Sequence, residues 1–178
     1  MMKDIILMAL EHEAPKMAKW ENVFFTGVGK VNAALTAGKL IERYQPRTVW
    51  NFGTAGGIRM IQGIHEMKNF VERDKGKCPE SIEIMLPTDP KIISFGVGNT
   101  CSTGDNFVTD PDLEDPAHVV DMEAYAIAKA CMNQQVDFRC FKYVSDQANE
   151  GADTDWLKNI ADGEEHYINV FQQITGGF

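Results

Sequence analysis

The sequence predicts an α/β layered domain, and three observations predict it. Apolar runs end in glycine-bearing turns, at Gly27-Val28-Gly29-Lys30 and Gly53-Thr54-Ala55-Gly56-Gly57. A segment of helical period separates those two turns. The first run is continuously apolar rather than alternating, as expected for a strand covered on both faces. The order strand, glycine turn, helix, strand, glycine turn marks alternating layers. A chain of 178 residues is read as one domain over 1–178.

The elements follow in order. Ile5 to Leu10 is the first strand, broken by Glu11-His12-Glu13-Ala14-Pro15, since Pro15 fits only a loop or a first helical turn. Asn22 to Thr26 is the second strand. A helix from about Val31 to Tyr44 puts Ala33, Ala34, Ala37, Leu40 and Ile41 on one face, and Pro46 stops it. Thr48 to Phe52 is a third strand, ended by the second glycine turn. Gly63 to Val71 suits a strand or a short helix. Asp74 to Thr88 reads as loop with one candidate strand at Ile82–Leu86, and Ile92 to Gly98 as a strand. Asn99 to Asn106 reads as polar loop. Val119 to Met122 is a short strand running into the Ala-rich helix Glu123–Cys131. Phe138 to Val144 is the last strand, and one closing helix runs from Thr154, an N-cap residue type, to about Ile174.

Composition limits the partners. Lys plus Arg number 17 against 26 Asp plus Glu, a formal charge of −9, so the chain lacks the basic field that nucleic acid requires. A small nucleoside needs a pocket rather than a field. No stretch approaches the roughly 18 apolar residues of a membrane span, and no N-terminal signal segment is visible. Cys78, Cys101, Cys131 and Cys140 form no CxxC pair, and His65, His118 and His166 show no metal spacing. Free thiols in a cytoplasmic protein without metal or cofactor are expected. Trp20 and Trp50 are expected in the core, and His12 at the surface.

In open α/β sheets, ligands lie beyond the carboxyl ends of the strands. Glu11 and Glu13 follow the first strand, Asp121 and Glu123 close the Val-Val strand, and Asp146 closes the last. Convergent carboxylates in an apolar site can have their pKa values driven apart, giving one acid and one base. That is the equipment for breaking a glycosidic bond. The same spacing also fits ordinary helix N-terminal charges.

Six segments occur in a fixed order: Ala9-Leu10-Glu11-His12-Glu13, Gly27-Val28-Gly29-Lys30-Val31-Asn32-Ala33-Ala34, Asn51-Phe52-Gly53-Thr54-Ala55-Gly56-Gly57, Ser102-Thr103-Gly104-Asp105-Asn106-Phe107, Val120-Asp121-Met122-Glu123-Ala124 and Ser145-Asp146. Together they resemble the nucleoside phosphorylase/nucleosidase family, most closely its 5'-methylthioadenosine/S-adenosylhomocysteine nucleosidase branch. The resemblance implies a three-layer fold, a central mixed β-sheet flanked by helices, and a homodimer.

It also implies roles. Glu13 would activate the attacking water, and Asp146, with its pKa raised by burial, would protonate purine N7. Glu123 would hold the ribose hydroxyls, with Met122 beneath the sugar. Phe107 would stack on the base, with the Val108 backbone reading its edge. Leu10 and Trp156 would line the 5' pocket. Thr54 would approach the site, and Ser145 would orient Asp146.

Phosphorylases of this family resemble one another in carrying phosphate-holding arginines, where this chain has Glu11-His12-Glu13 and Asn51. Water is therefore the expected nucleophile, while Arg59, just past the glycine turn, keeps phosphate among the alternatives. The others are a hydrolase of another adenosine derivative, of futalosine type, and a non-catalytic nucleoside-binding or storage relative. The segment between Gly57 and Ser102 is shorter than in similar proteins, with a charged stretch from Arg73 to Pro90.

Overall fold

The computed structural model describes residues 3–58, 61–75, 92–110 and 115–176. Arg59, Cys78 and the candidate strand Ile82–Leu86 lie outside the described residues. Eight described strands form one mixed sheet. They are β1 (Asp4–Met8), β2 (Val23–Phe25), β3 (Thr48–Gly57), β4 (Gly63–Glu72), β5 (Ile92–Ser94), β6 (Asn99–Thr103), β7 (Val119–Asp121) and β8 (Asp137–Asp146). The described helices are α1 (Lys30–Tyr44), α2 (Ala124–Gln134), α3 (Ala152–Asn159) and α4 (Glu164–Thr175).

β1 pairs in parallel with β2 and β3, and β3 in parallel with β8 along almost its whole length. β8 then pairs antiparallel with β4, β4 pairs in parallel with β6, β6 with β7, and β7 returns antiparallel to β3 at Gly56 and Gly57. These pairings close into a ring beyond the middle of β3.

Both faces are covered, giving the three layers expected. Ala33, Ala37, Leu40 and Ile41 of α1 and the Ala-rich face of α2 pack on Ile5, Leu7, Val49 and Cys140. The opposite face is aromatic: Trp50, Phe52 and Phe141 stack against Tyr167 and Phe171 of α4. Alternation along β8 sends Cys140 and Val144 to the first face and Phe141 to the second.

The register of β3 and β8 slips once. Ala55 faces Val144, but Gly56 faces Asp146, so Ser145 is an extra residue on β8. Such a bulge bends a strand and re-aims the side chains that follow it.

The structure corrects several expectations. β3 does not stop at Phe52. It runs through the glycines to Gly57, because at Gly56 a Cβ would fall 2.9 Å from Asp146 Oδ1 and 3.1 Å from Val120 Cγ2. The polar segment from Asn99 begins as a strand, with Thr103 Oγ1 donating to Asp121 and Ser102 Oγ to Asp115. Ser102 and Thr103 sit in the buried end of this strand because both hydroxyls have a carboxylate partner. Gly63–Glu72 is strand, and the strand at Ile92 ends at Ser94.

The closing helix is two helices, and the first begins at Ala152 behind Gly151 rather than at Thr154. The break falls at Gly163, where a Cβ would lie 2.4 Å from the Tyr167 hydroxyl and 2.9 Å from Tyr143 Cβ. No helix among the described residues is long and apolar enough to cross a membrane.

Candidate active site

A cavity of about 290 Å3 opens where β1, β3, β7 and β8 end. The expectation that these strand ends point one way holds for β1, β3 and β8. It fails for β7, which runs antiparallel to β3. β7 still reaches the cavity because it crosses the glycine end of β3.

Leu10, Glu13, Thr54, Phe107, Val108, Met122, Glu123, Asp146 and Trp156 all line the cavity. Ser145 stands behind the wall and donates from Oγ to Asp146 Oδ2 at 2.9 Å.

Glu13 is buried in a short 3-10 turn, Glu11–Glu13. Its Oε2 accepts from the backbone N–H of Leu10 at 3.0 Å, the reach-back of a capping box. Its Oε1 accepts from the N–H of Thr54 at 2.8 Å and from Thr54 Oγ1 at 2.9 Å. Trp156 Nε1 in turn donates to Thr54 Oγ1 at 3.0 Å. Thr54 therefore joins α3 to the Glu13 carboxylate. His12 is exposed, as expected.

Glu123 opens α2, and its Oε1 accepts from the N–H of Gly29 at 2.9 Å. Burial, reinforced by the nearby Asp121 charge, pushes its pKa up to about 7. Asp121 goes the other way. Burial opposes its charge, but the Lys142 ammonium at 2.8 Å, Thr103 Oγ1 at 2.5 Å and the N–H of Ala124 at 2.9 Å hold it ionised and its pKa low. These two carboxyls, two residues apart, are thus driven apart in the manner expected of a site.

Asp146 accepts from the N–H of Ala148 at 2.9 Å through Oδ1. Burial raises its pKa, the direction expected, against the opposing pull of the Ala148 and Ser145 hydrogen bonds. Phe107 is 42% exposed and meets Trp156 edge-on, with ring centroids 6.2 Å apart. The two rings form the lip of the cavity, and Val108 packs beneath with Val120 and Ala148.

Asn51 does not reach the cavity. Its amide donates to the Leu7 carbonyl at 3.0 Å and accepts from Cys140 Sγ. Cys101, Cys131 and Cys140 are buried free thiols, and burial pushes the Cys101 thiol well up, so none is poised as a nucleophile. No group of three His, Cys, Asp or Glu side chains among the described residues is arranged to hold a metal ion.

Sequence reasoning passed over Lys142 and Arg73. Lys142 is fully buried in the middle of β8, and one lysine in an apolar strand is itself the sign of a buried partner. Arg73 lines the cavity from the end of β4. It stands at the start of the charged stretch read as loop.

Comparison with known proteins agrees with this architecture. The 5'-methylthioadenosine/S-adenosylhomocysteine nucleosidase of Bacillus velezensis is 27% identical over 184 residues, covering 84% of this chain and 79% of the relative. The Streptococcus pneumoniae MTA/SAH nucleosidase, solved with 8-aminoadenine, superposes with a TM-score of 0.81 at 18% identity, covering 96% of this chain and 97% of that one. The native futalosine hydrolase of Helicobacter pylori superposes with a TM-score of 0.78 at 18% identity, covering 91% and 92%. The family model described as the Phosphorylase superfamily matches residues 21–65 and 100–177. Those segments carry the glycine turns, the Met-Glu-Ala block and the Ser-Asp pair around the cavity, and by that match the chain belongs to the phosphorylase superfamily.

Proposed function

We propose that the protein hydrolyses the N-glycosidic bond of adenine nucleosides, 5'-methylthioadenosine or S-adenosylhomocysteine, and releases adenine. The observation that carries this reading is the arrangement of Glu13, Glu123 and Asp146 around one apolar cavity, each held by a backbone N–H. The name of the Bacillus velezensis relative supports the choice of substrate.

Cleavage of the C1'–N9 bond leaves an electron-poor sugar and an electron-rich purine. A protonated Asp146 gives its proton to purine N7, so the base departs neutral. Burial raises its pKa, which shifts it toward the protonated form this role needs. Glu13, fixed by Thr54 and Leu10, takes the proton of the attacking water and faces the positive charge developing on the sugar. Glu123 accepts from the ribose hydroxyls. Phe107 covers the base, while Leu10 and Trp156 enclose the apolar 5' group.

Water is favoured over phosphate by the charge around the cavity. Glu13, Glu123, Asp121 and Asp153 line it beside the protonated Asp146, and Arg73 is the arginine among the described lining residues. Both Nη atoms of Arg73 are already committed to carbonyl oxygens. Among the described residues, an anion entering here would find carboxylates and no available guanidinium fork.

The reading extends to a homodimer. Val28 at the cavity mouth and Val31 and Leu35 along α1 are 42%, 68% and 69% exposed, and a second copy would cover them. Buried free thiols suit a reducing cytoplasm.

The test is incubation with methylthioadenosine, S-adenosylhomocysteine, adenosine and inosine, with and without phosphate. Adenine released without phosphate is the expected result. Strict phosphate dependence would identify a phosphorylase, and no base release from any substrate would identify a binding protein. Sedimentation velocity reads the oligomeric state.

A further inference from the structure

Arg73 has no part in the chemistry above, yet it is more heavily bonded than any carboxylate of the site. Its Nη1 donates to the carbonyls of Ser102 and Asp121, both at 2.8 Å. Its Nη2 donates to the carbonyls of Gly104 at 3.2 Å and Asn106 at 2.5 Å, and to Asn106 Oδ1 at 3.4 Å. Its own backbone N–H donates to the Thr103 carbonyl at 2.9 Å. One guanidinium thus holds the loop leading to Phe107 and, at Asp121, the strand leading to Met122 and Glu123.

A planar fork suits this task. Its donors diverge in one plane and meet several carbonyls at once, which a lysine ammonium cannot do. Gly104 completes the fit, since a Cβ there would lie 2.8 Å from Arg73 Cζ and 2.9 Å from Nε. The guanidinium therefore lies flat against a residue that has no side chain. The neighbours of Arg73 add a second tie. Lys30 Nζ meets Glu72 at 2.7 Å and Asp74 at 2.5 Å, and Asp105 accepts from the Lys30 N–H at 2.7 Å while donating its own N–H to Asp74 at 2.7 Å.

We propose that Arg73 is a positioning residue for the base: its guanidinium, seated on Gly104, presets the 104–106 loop at the end of β6 so that Phe107 and Val108 stand ready before the nucleoside arrives. A loop ordered in advance loses no freedom on binding, so its effect falls on affinity rather than on the bond-breaking step. The inference rests on the nucleosidase reading for the identity of the ligand, but not for the ordering of the loop.

The test uses three variants, Arg73→Met, Arg73→Lys and Gly104→Ala, and three measurements. Amide hydrogen exchange of the ligand-free protein should speed up by about tenfold or more at 104–108 while α2 keeps its protection. The adenine Kd should rise by about tenfold, and the KM for methylthioadenosine with it, while kcat stays within about threefold. Arg73→Lys should not rescue, because it restores the charge and not the fork. Gly104→Ala keeps Arg73 and reaches the same contact from the other side, which covers the case in which Arg73→Met fails to fold.

Wild-type exchange rates at 104–108 in Arg73→Lys and Gly104→Ala would overturn the proposal. Unchanged adenine affinity in a variant whose loop exchanges faster would overturn it too. If the wild-type protein binds no adenine, the nucleosidase reading fails, and the exchange measurement alone decides whether Arg73 orders the loop.

Discussion

The floor and the rim of the cavity are built on different principles. On the floor, Glu13, Glu123 and Asp146 are each seated by a backbone N–H from Thr54, Gly29 or Ala148. Those donors belong to strand ends and glycine turns that the sheet fixes. On the rim, the loop before Phe107 is tied by side chains distant along the chain: Arg73 to the carbonyls of Ser102, Gly104, Asn106 and Asp121, with Lys30 bonded to the flanking Glu72 and Asp74. Backbone seating gives fixed charges where chemistry needs them. Side-chain ties give a surface that can be retuned without disturbing the acids.

The sharpest way to break the floor is Asp146→Asn. The amide oxygen can keep the Ala148 bond and the amide NH2 can donate to a turned Ser145 hydroxyl, but no proton can pass to N7. The expected loss in kcat is about 10³-fold, with nucleoside affinity largely kept, read by adenine release and by calorimetry. Near-wild-type turnover would show that Asp146 is not the acid.

Glu13→Gln follows. The amide oxygen can keep the two Thr54 bonds, while the amide NH2 then faces the Leu10 N–H, so the loss of about 10²-fold in kcat should come with only the small fall in stability of one lost hydrogen bond. A large fall in Tm alongside would mean that the charge itself holds the turn.

Glu123 sharpens the comparison through pH. Burial pushes its pKa from the ordinary 4.5 up to about 7 in the folded protein, so the folded state binds this proton more tightly than the unfolded chain. Its stabilising contribution is complete below about 4.5 and is lost as pH rises toward 7. The size is about 3 kcal/mol by linkage. Urea unfolding of the wild type and Glu123→Gln at pH 5 and pH 8 should show the difference narrowing in the variant.

Thr54→Ala cuts the link from Trp156 to Glu13 and should cost about 1 kcal/mol of stability, with a kcat loss of a few-fold. The smallest effect belongs to the rim. Lys30→Met removes a partly exposed ion cluster and should cost about 1 kcal/mol or less, shrinking further in high salt. It should act on KM more than on kcat.

The same division decides what could be read from sequence. The residues of the floor sit next to strand ends and glycine turns, so their placement follows from local order plus the rule that ligands gather there. Lys142 was harder, because its partner Asp121 lies on another strand and only the oddity of a charge in an apolar run points to it. Arg73 was not legible. Its role depends on the parallel pairing of β4 with β6, which sets Val71 beside Ser102 and Glu72 beside Thr103, and nothing local announces that register. The segment from Asn99 was misread because hydroxyl-rich residues suggest loop until their buried acceptors are known. The glycines of β3 were read as a break, although their missing side chains are what lets Asp146 and Val120 come close.

Ser145 is an extra residue on β8, between two strands that otherwise keep step. Its consequence is one of parity. Along β8, every second residue returns to the same side of the sheet, so Lys142, Val144 and an unshifted Asp146 would share a side. Inserting one residue changes odd to even, and Gly56, rather than the partner beyond it, becomes the neighbour of Asp146. The direction in which the acid faces is therefore set by a count: the same residues paired without the slip would put Ser145 beside Gly56 and turn Asp146 to the side of Lys142 and Val144, next to Gly57.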